Sequence, residues 1–400
     1  MSDAPPATVS ASSEVTSPRR RALLAACGAH AVNDGLTDLI YVLLPIWQTQ
    51  FGLSYVQIGL MRGAYSATMA GFQLLASRAA RRFGREVLLI GGTALVGVAY
   101  LLAGQAGGLV ALMAALVLGG LGASTQHPLA SSLVTDTHEP GRQVKQALSH
   151  YNFAGDIGKT LIPALVGVSL TVMSWRLSVT LAGVLGLLAA LVMYLLIPRT
   201  LEKHVAGSNK AGAGEGSGSA SGLRALLATG FLDSAVRMGF LTFLPFLLSD
   251  KGAGTAGIGL ALTLLFIGGA FGKLICGYLG ARIGLLRTVW FSETLTAALI
   301  VAAVFLPLNA LMIMLPLLGL VLNGTSSVLY GVVPELAAPG RREQAFALFY
   351  TGTIGGGALA PIVFGRLGDI SGVPLALMAL AATLLLTLPL TWYVDRGLED

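Results

Sequence analysis

The stretches LPIWQTQFGLSYVQIGL (44–60) and LPFLLSDKGAGTAGIGL (244–260) together decide the fold. Leu44-Pro45 returns as Leu244-Pro245, and Ile58-Gly59-Leu60 as Ile258-Gly259-Leu260, each 200 residues further on. Working outward, Arg82 and Gly84 recur as Arg282 and Gly284, and Pro140-Gly141-Arg142 as Pro339-Gly340-Arg341. Pro163 and Gly167 recur as Pro361 and Gly365. One such pair arises by chance easily; an offset held between 198 and 200 over five of them marks two copies of one unit. Between the copies lies GSNKAGAGEGSGSASG (207–222), whose Gly/Ser content is that of a flexible linker. The expected organisation is a disordered tail over 1–21, a first half over 22–197, a linker over 198–222, a second half over 223–395 and a short tail over 396–400.

The solvent of these halves follows from composition. Apolar residues make up 54% of the chain and charged ones 11%, with a mean hydropathy of +0.77. A soluble domain carries about a quarter of its residues charged. Less than half of that leaves most of the surface to lipid. Apolar stretches of the length that crosses a bilayer, about 20 residues, fall near 22–48, 55–79, 86–105, 109–136, 143–170, 174–197, 223–248, 255–281, 285–306, 309–337, 342–370 and 373–395. Backbone in lipid must satisfy its own hydrogen bonds, so the twelve are helices. Cys27 and Cys276 both lie inside apolar runs and read as small hydrophobes. Arg19-Arg20-Arg21 before LLAACGAHA imitates a signal peptide, but Asn33, Asp34 and Asp38 interrupt the run, so it reads as an uncleaved first span.

Loop charge sets the orientation. Of the 25 Lys and Arg, eighteen fall on one side, and only Arg176, Lys251 and Arg366 on the other. The positive-inside rule then puts both termini in the cytoplasm, and the protein in the cell inner membrane. The basic residues sit in short loops between apolar runs, which is no nucleic-acid footprint.

The remaining four cations, and several acids, lie inside the spans. Each costs about 2.5–3.5 kcal/mol at bilayer depth, so they are expected to face a polar cavity. His30, Asp34 and Asp38 recur at i, i+4, i+8 and share one face of the first span. At 1.5 Å per residue Asp34 lies roughly 18 Å from the cytoplasmic end, near the midplane. Arg62 in the second span reaches similar depth, with Tyr65 beside it, and an Asp34–Arg62 or Asp38–Arg62 pair is geometrically open. Gln126 and His127 lie in the fourth span, Asp156 and Lys159 in the fifth, Asp233 and Arg237 in the seventh, Tyr330 in the tenth and Tyr350 in the eleventh. Asp156–Lys159 and Asp233–Arg237 are spaced to neutralise themselves on their own helices. Lys273 is expected to snorkel to the cytoplasmic surface. Asp34, with no base on the adjacent turns of matching depth except His30, is the expected proton carrier, with Asp38 and His30 as partners in proton coupling. Arg62, Tyr65, Gln126, His127, Asp156, Lys159, Asp233, Arg237, Tyr330 and Tyr350 are the expected substrate-binding set.

The loop SRAARRFGR (77–85) resembles the G-x-x-x-D-R-x-G-R signature of the major facilitator superfamily, and GYLGARIG (277–284) its second-half copy. Ser77, Arg81 and Ala281 depart from it. Arg82, Gly84, Arg282 and Gly284 match, and the resemblance implies a gating role for them. HAVNDGLTDLIYVLLPIW (30–47), FGLSYVQIGL (51–60) and Gln126-His127-Pro128 resemble the fosmidomycin resistance-like branch of that superfamily. The resemblance implies an all-α membrane protein, twelve transmembrane helices in two six-helix pseudo-symmetric halves, with the substrate site between them at mid-membrane. It also implies export of a small molecule coupled to protons.

The cations within the spans suggest a carboxylate, phosphate or phosphonate on the cargo. The expectation is therefore a proton-coupled antiporter exporting a small anionic or amphiphilic organic compound, working as a monomer in the lipid bilayer. Its first alternative is a symporter importing an organic anion. A divalent metal carrier using His30, Asp34, Asp38 and His127 is disfavoured by the same cations. No HExxH, GxSxG or P-loop pattern appears, so no enzyme activity, cofactor or resident metal is expected.

Overall fold

The computed structural model describes residues 18–138, 142–197, 218–338 and 341–399. Every regular element among them is a helix. The first six spans are α1 (Pro18–Phe51), α2 (Tyr55–Phe83), α3 (Arg85–Gly104), α4 (Leu109–Ala123, continued as Gln126–Thr137), α5 (Arg142–Ser169) and α6 (Trp175–Leu196). The second six are α7 (Ala220–Asp250), α8 (Thr255–Ile283), α9 (Leu285–Phe305), α10 (Leu308–Leu336), α11 (Arg342–Ser371) and α12 (Val373–Leu384, continued as Thr387–Glu399). Most of the expected linker, 198–217, and of the amino-terminal tail lies outside the described residues. The carboxy-terminal tail expected at 396–400 is helical through Glu399.

Two spans expected as continuous rods are broken, α4 at Ser124-Thr125 and α12 at Leu385-Leu386. Pro128 and Pro389 each take the third position after the break. A proline there has no N–H for the carbonyl four residues back, and its ring clashes with that carbonyl, so the preceding turn opens.

The repeat read from the sequence is also a repeat of contacts. In the first half α1 packs on α5, α2 on α4 and α3 on α6; in the second, α7 packs on α11, α8 on α10 and α9 on α12. The halves meet through two matching crossings, α2 on α11 and α5 on α8. Glycine makes these crossings close. A Cβ on Gly59 would overlap the carbonyl of Pro361, and one on Gly365 would lie 2.5 Å from that of Tyr55. At the other crossing a Cβ on Gly259 would lie 2.9 Å from the carbonyl of Pro163 and 3.2 Å from Cα of Gly167. Small residues let helices approach in lipid, where no hydrophobic drive pushes them together.

The two crossings close the end of the molecule opposite the chain termini. There Ser54 caps α2: its hydroxyl accepts from the Gln57 amide at 3.2 Å, and the Gln57 side chain accepts from the Ser54 amide at 2.9 Å. The next two amides, of Tyr55 and Val56, donate to the Asp369 carboxylate at the end of α11, at 2.6 and 3.1 Å. A carboxylate of one half thus caps a helix of the other, where the helix dipole favours negative charge. One large apolar cluster, running from Leu36 through Trp47 and Phe243 to Leu384, spans both halves at this end. Towards the termini the core divides in two, one cluster around Leu89, Leu133 and Tyr151 and another around Leu226, Leu329 and Phe349. A cavity separates them.

Two cations that stand against the loop-charge bias have structural work. Arg176 donates to the carbonyls of Gly104 and Ala106 at 3.2 and 2.9 Å. Lys251 donates to those of Val304 and Leu306, the same positions 200 residues on, at 2.8 and 2.6 Å. Different elements supply the charge, but each neutralises the carbonyl end of the equivalent helix. Lys251→Ala is expected to cost about 1 kcal/mol, seen as a lowered melting temperature of the detergent-solubilised protein.

Among the described residues nine helices are long and apolar enough to cross a membrane by themselves. The three spans outside that set are α1, α2 and α5, which carry Asp34, Asp38, Arg62, Asp156 and Lys159. At the termini end, Gly84 and Gly284 adopt φ of +92° and +85°, and each ends one helix and begins the next. Arg82 stacks on Phe83 and Arg282 on Tyr278, both within their own half. Arg85 pairs with Asp136 of α4, also within its half.

Candidate functional site

The cavity between the halves has a volume of about 1340 Å³ and reaches from Lys145, in the first turn of α5, to His30 and Asp34 on α1. It opens towards the end that carries the termini. One wall is polar: His30, Asp34, His127, Asp156, Lys159, Asp233, Arg237 and Lys273. The other is apolar and is built from Phe153, Ile157 and Leu161 on α5 and Ile267, Phe271 and Leu274 on α8.

Asp34 is the hub of the polar wall. Its Oδ2 lies 3.1 Å from Nε2 of His30 and 3.2 Å from Nζ of Lys159, and its Oδ1 lies 3.8 Å from Nε2 of His127. Asn33 donates to Oδ1 at 3.2 Å. Close packing of α1 on α5 makes this possible. A Cβ on Gly158 would overlap the Ala31 carbonyl, and one on Gly155 would lie 2.7 Å from the His30 ring. Two bare positions one turn apart thus bring Lys159 within reach of α1. The His30 ring stacks on Tyr151 with centroids 4.0 Å apart, and its Nδ1 contacts the Tyr151 carbonyl at 2.8 Å. That contact makes Nδ1 the donor, so Nε2 and the Asp34 carboxylate bond each other only when the pair carries one further proton.

The local neutralisation that spacing permits in the fifth span does not occur. Lys159 turns to Asp34, and Asp156 instead takes Lys273 of α8 at 2.7 Å, across the halves. Lys273 is therefore not a snorkelling residue at the surface; the Asp156 carboxylate draws it into the cavity. The Asp233–Arg237 pair forms within α7 at 3.3 Å. Tyr350 donates to the Tyr330 hydroxyl at 2.9 Å on the opposite rim.

Several expected substrate-binding residues sit behind the wall. Arg62 is buried, bonds Ser66 at 2.6 Å and lies over the Tyr41 and Tyr65 rings at 4.8 and 5.7 Å. Among the described residues it forms no ion pair with Asp34 or Asp38 within 4.0 Å. Tyr65 bonds Thr37 at 2.8 Å, and Gln126 and Asp38 are buried outside the cavity lining. Aromatic rings on both sides of Arg62 compete with the acids for the guanidinium, which is why depth alone did not fix its partner.

His30, Asp34 and His127 present ligand atoms all within 4.8 Å of one another. The Lys159 ammonium already occupies the cation position on that carboxylate, so the cluster is a poor cradle for a divalent ion. Two residues outside the expected binding set also belong here, Lys273 and Glu293. Glu293 of α9 lies against Asp233, and its depth within an otherwise apolar helix was the available signal.

Twelve membrane-crossing helices in two matching halves, with a charged cavity open at one end between them, define a membrane carrier for small molecules. The family profile described as Major Facilitator Superfamily matches residues 26–228 and 226–399. The chain belongs to that superfamily, whose members are transporters and not enzymes. Among its relatives is the fosmidomycin resistance protein of Escherichia coli (strain K12), 25% identical over 361 residues that cover 87% of this chain and 86% of that one. A multidrug transporter of the same superfamily from Aspergillus fumigatus is 30% identical over 165 residues, 41% of this chain. That match spans only 32% of the fungal protein's length. A bacterial homologue of the human lysosomal transporter Spinster, in an inward-facing and unoccupied conformation, superposes with a TM-score of 0.79 at 18% identity, over 95% of this chain and 98% of that one.

Proposed function

We propose that this chain is a proton-coupled transporter of the inner membrane that exports a small anionic or amphiphilic organic compound by alternating access, with both termini in the cytoplasm. The observation that carries this reading is the Asp34 carboxylate at the inner end of the cavity, shared among Lys159, His30 and His127. An acidic group on the cargo competes with Asp34 for the Lys159 ammonium, while the apolar wall of α5 and α8 takes the remainder of the compound. A proton on Asp34 removes the charge that holds Lys159 and the imidazoles, so proton and cargo act on one cluster. Rocking the halves about the Gly59–Pro361 and Gly259–Pro163 crossings then moves the cluster from one aqueous side to the other. Relatives named for multidrug transport and fosmidomycin resistance support export. The excess of loop cations on the termini side supports the orientation.

The contact of Lys159 with Asp34 also favours a second reading. Protonated Asp34 leaves Lys159 free for an anion, so proton and anion would travel together, which gives uptake of an organic anion. Proteoliposomes with imposed pH gradients separate the two, using fosmidomycin and a set of small carboxylates and phosphonates as probes. An antiporter accumulates the probe in vesicles with an acidic lumen, a symporter in vesicles with an alkaline one. Accumulation under neither gradient, with no thermal stabilisation of the purified protein by any of these anions, would overturn both.

A further inference from the structure

The second half holds a pair of acids that the Asp34 cluster does not use. Asp233 on α7 is 4% exposed and Glu293 on α9 is 1% exposed. Their side chains lie within hydrogen-bonding reach of each other. One guanidinium stands at the pair, on its Asp233 side: Arg237 lies 3.3 Å from Asp233. Thr325 of α10 lies beside the Glu293 carboxyl but donates its proton to Ser292 at 2.7 Å. Cys276 of α8 is the remaining titratable group facing Glu293. Oε1 of Glu293 is buried without a hydrogen-bond donor among the described residues.

Two carboxylates in contact in a low dielectric do not both ionise, because each charge raises the cost of the other. Arg237 offsets one negative charge and leaves one over. Hydroxyls cannot neutralise it, and an ionised carboxylate lacking a donor at this depth costs several kcal/mol. A single proton between the carboxyls removes the surplus charge and supplies the bond that joins them.

We propose that Asp233 and Glu293 together hold one exchangeable proton and form a second protonation site, in the half opposite Asp34. Asp233 and Arg237 line the cavity whereas Glu293 lies behind them, so Asp233 is the port through which the proton reaches water. Asp233 is in register with Asn33, 200 residues earlier, beside Asp34. Each half therefore places a carboxyl at the same level of its first helix. An anion that draws Arg237 away from Asp233 removes the counter-charge that pairs with it and favours uptake of a further proton. That is a coupling route independent of Lys159.

The pair does not rest on the identity of the cargo, and its test needs none. Infrared difference spectra of the full-length protein in lipid, titrated from neutral to alkaline pH, are expected to show a protonated-carboxyl C=O band that disappears as the pH rises. Glu293→Gln and Asp233→Asn should each lose that band, since the remaining acid can then ionise against Arg237. Asp34→Asn should keep it. Thermal melting verifies that each variant is folded. A wild-type spectrum without such a band, or equal bands in wild type and both second-half variants, would overturn the proposal.

Discussion

Asp34→Asn is expected to abolish transport driven by a pH gradient while leaving a folded protein. The carboxylate is the shared partner of His30, Lys159 and His127, and asparagine keeps its shape but has no charge to gain or lose. Breaking a buried ion pair by removing one partner costs about 3–5 kcal/mol. Here Lys159 is 32% exposed at the side chain and keeps a carbonyl acceptor, so water screens part of the loss and the cost falls below that range. Asp34→Asn combined with Lys159→Met should recover much of the stability, since no unpaired ammonium remains, and should still fail to couple. Melting temperatures and probe flux under imposed pH gradients measure the two effects separately. Gradient-driven flux surviving in Asp34→Asn would remove this residue from the coupling mechanism.

The second large effect concerns closure. Gly59→Val places a branched side chain where even a single Cβ meets the Pro361 carbonyl. Overpacking of this kind costs about 1–3 kcal/mol, and only in the state where α2 and α11 touch. A bias of about 1.4 kcal/mol shifts a two-state population tenfold. The variant should therefore populate a conformation parted at the end opposite the termini. Transport should fall about tenfold or more, because one state of the cycle becomes inaccessible. Gly259→Val at the matching α5–α8 crossing should act alike. Spin labels placed across that end of the two halves, in lipid, report the opening as a lengthened distance. Unchanged distances and unchanged flux in both variants would show that the crossings yield without consequence.

How much of this was legible beforehand follows particular residues. The 200-residue offset predicted two equivalent halves, and the contacts repeat with it; Gly59 and Gly259 proved to be the seams rather than markers of ancestry alone. The breaks in α4 and α12 were not legible, because Pro45, Pro163 and Pro245 lie in helices that run on unbroken. Asp34 was legible from its depth. His30 was legible from the shared face of α1. Lys159 was not: spacing along one helix suggested Asp156 for it, whereas the bare backbone at Gly155 and Gly158 opened a shorter route to α1. The partner of Glu293 was hidden for the same reason in reverse, since it comes from α7 and nothing within a turn of its own helix announces it.

The uneven polarity of the spans bears on how the chain enters the bilayer during synthesis. Each charge at a helix centre raises the cost of partitioning by about 2.5–3.5 kcal/mol. Asp34 leaves the ribosome 125 residues ahead of Lys159. α1 therefore faces the translocon with its acids uncompensated and must linger near water or protein until α4 and α5 arrive. The nine apolar spans can settle into lipid one rod at a time; α1, α2 and α5 settle only once their charged partners meet.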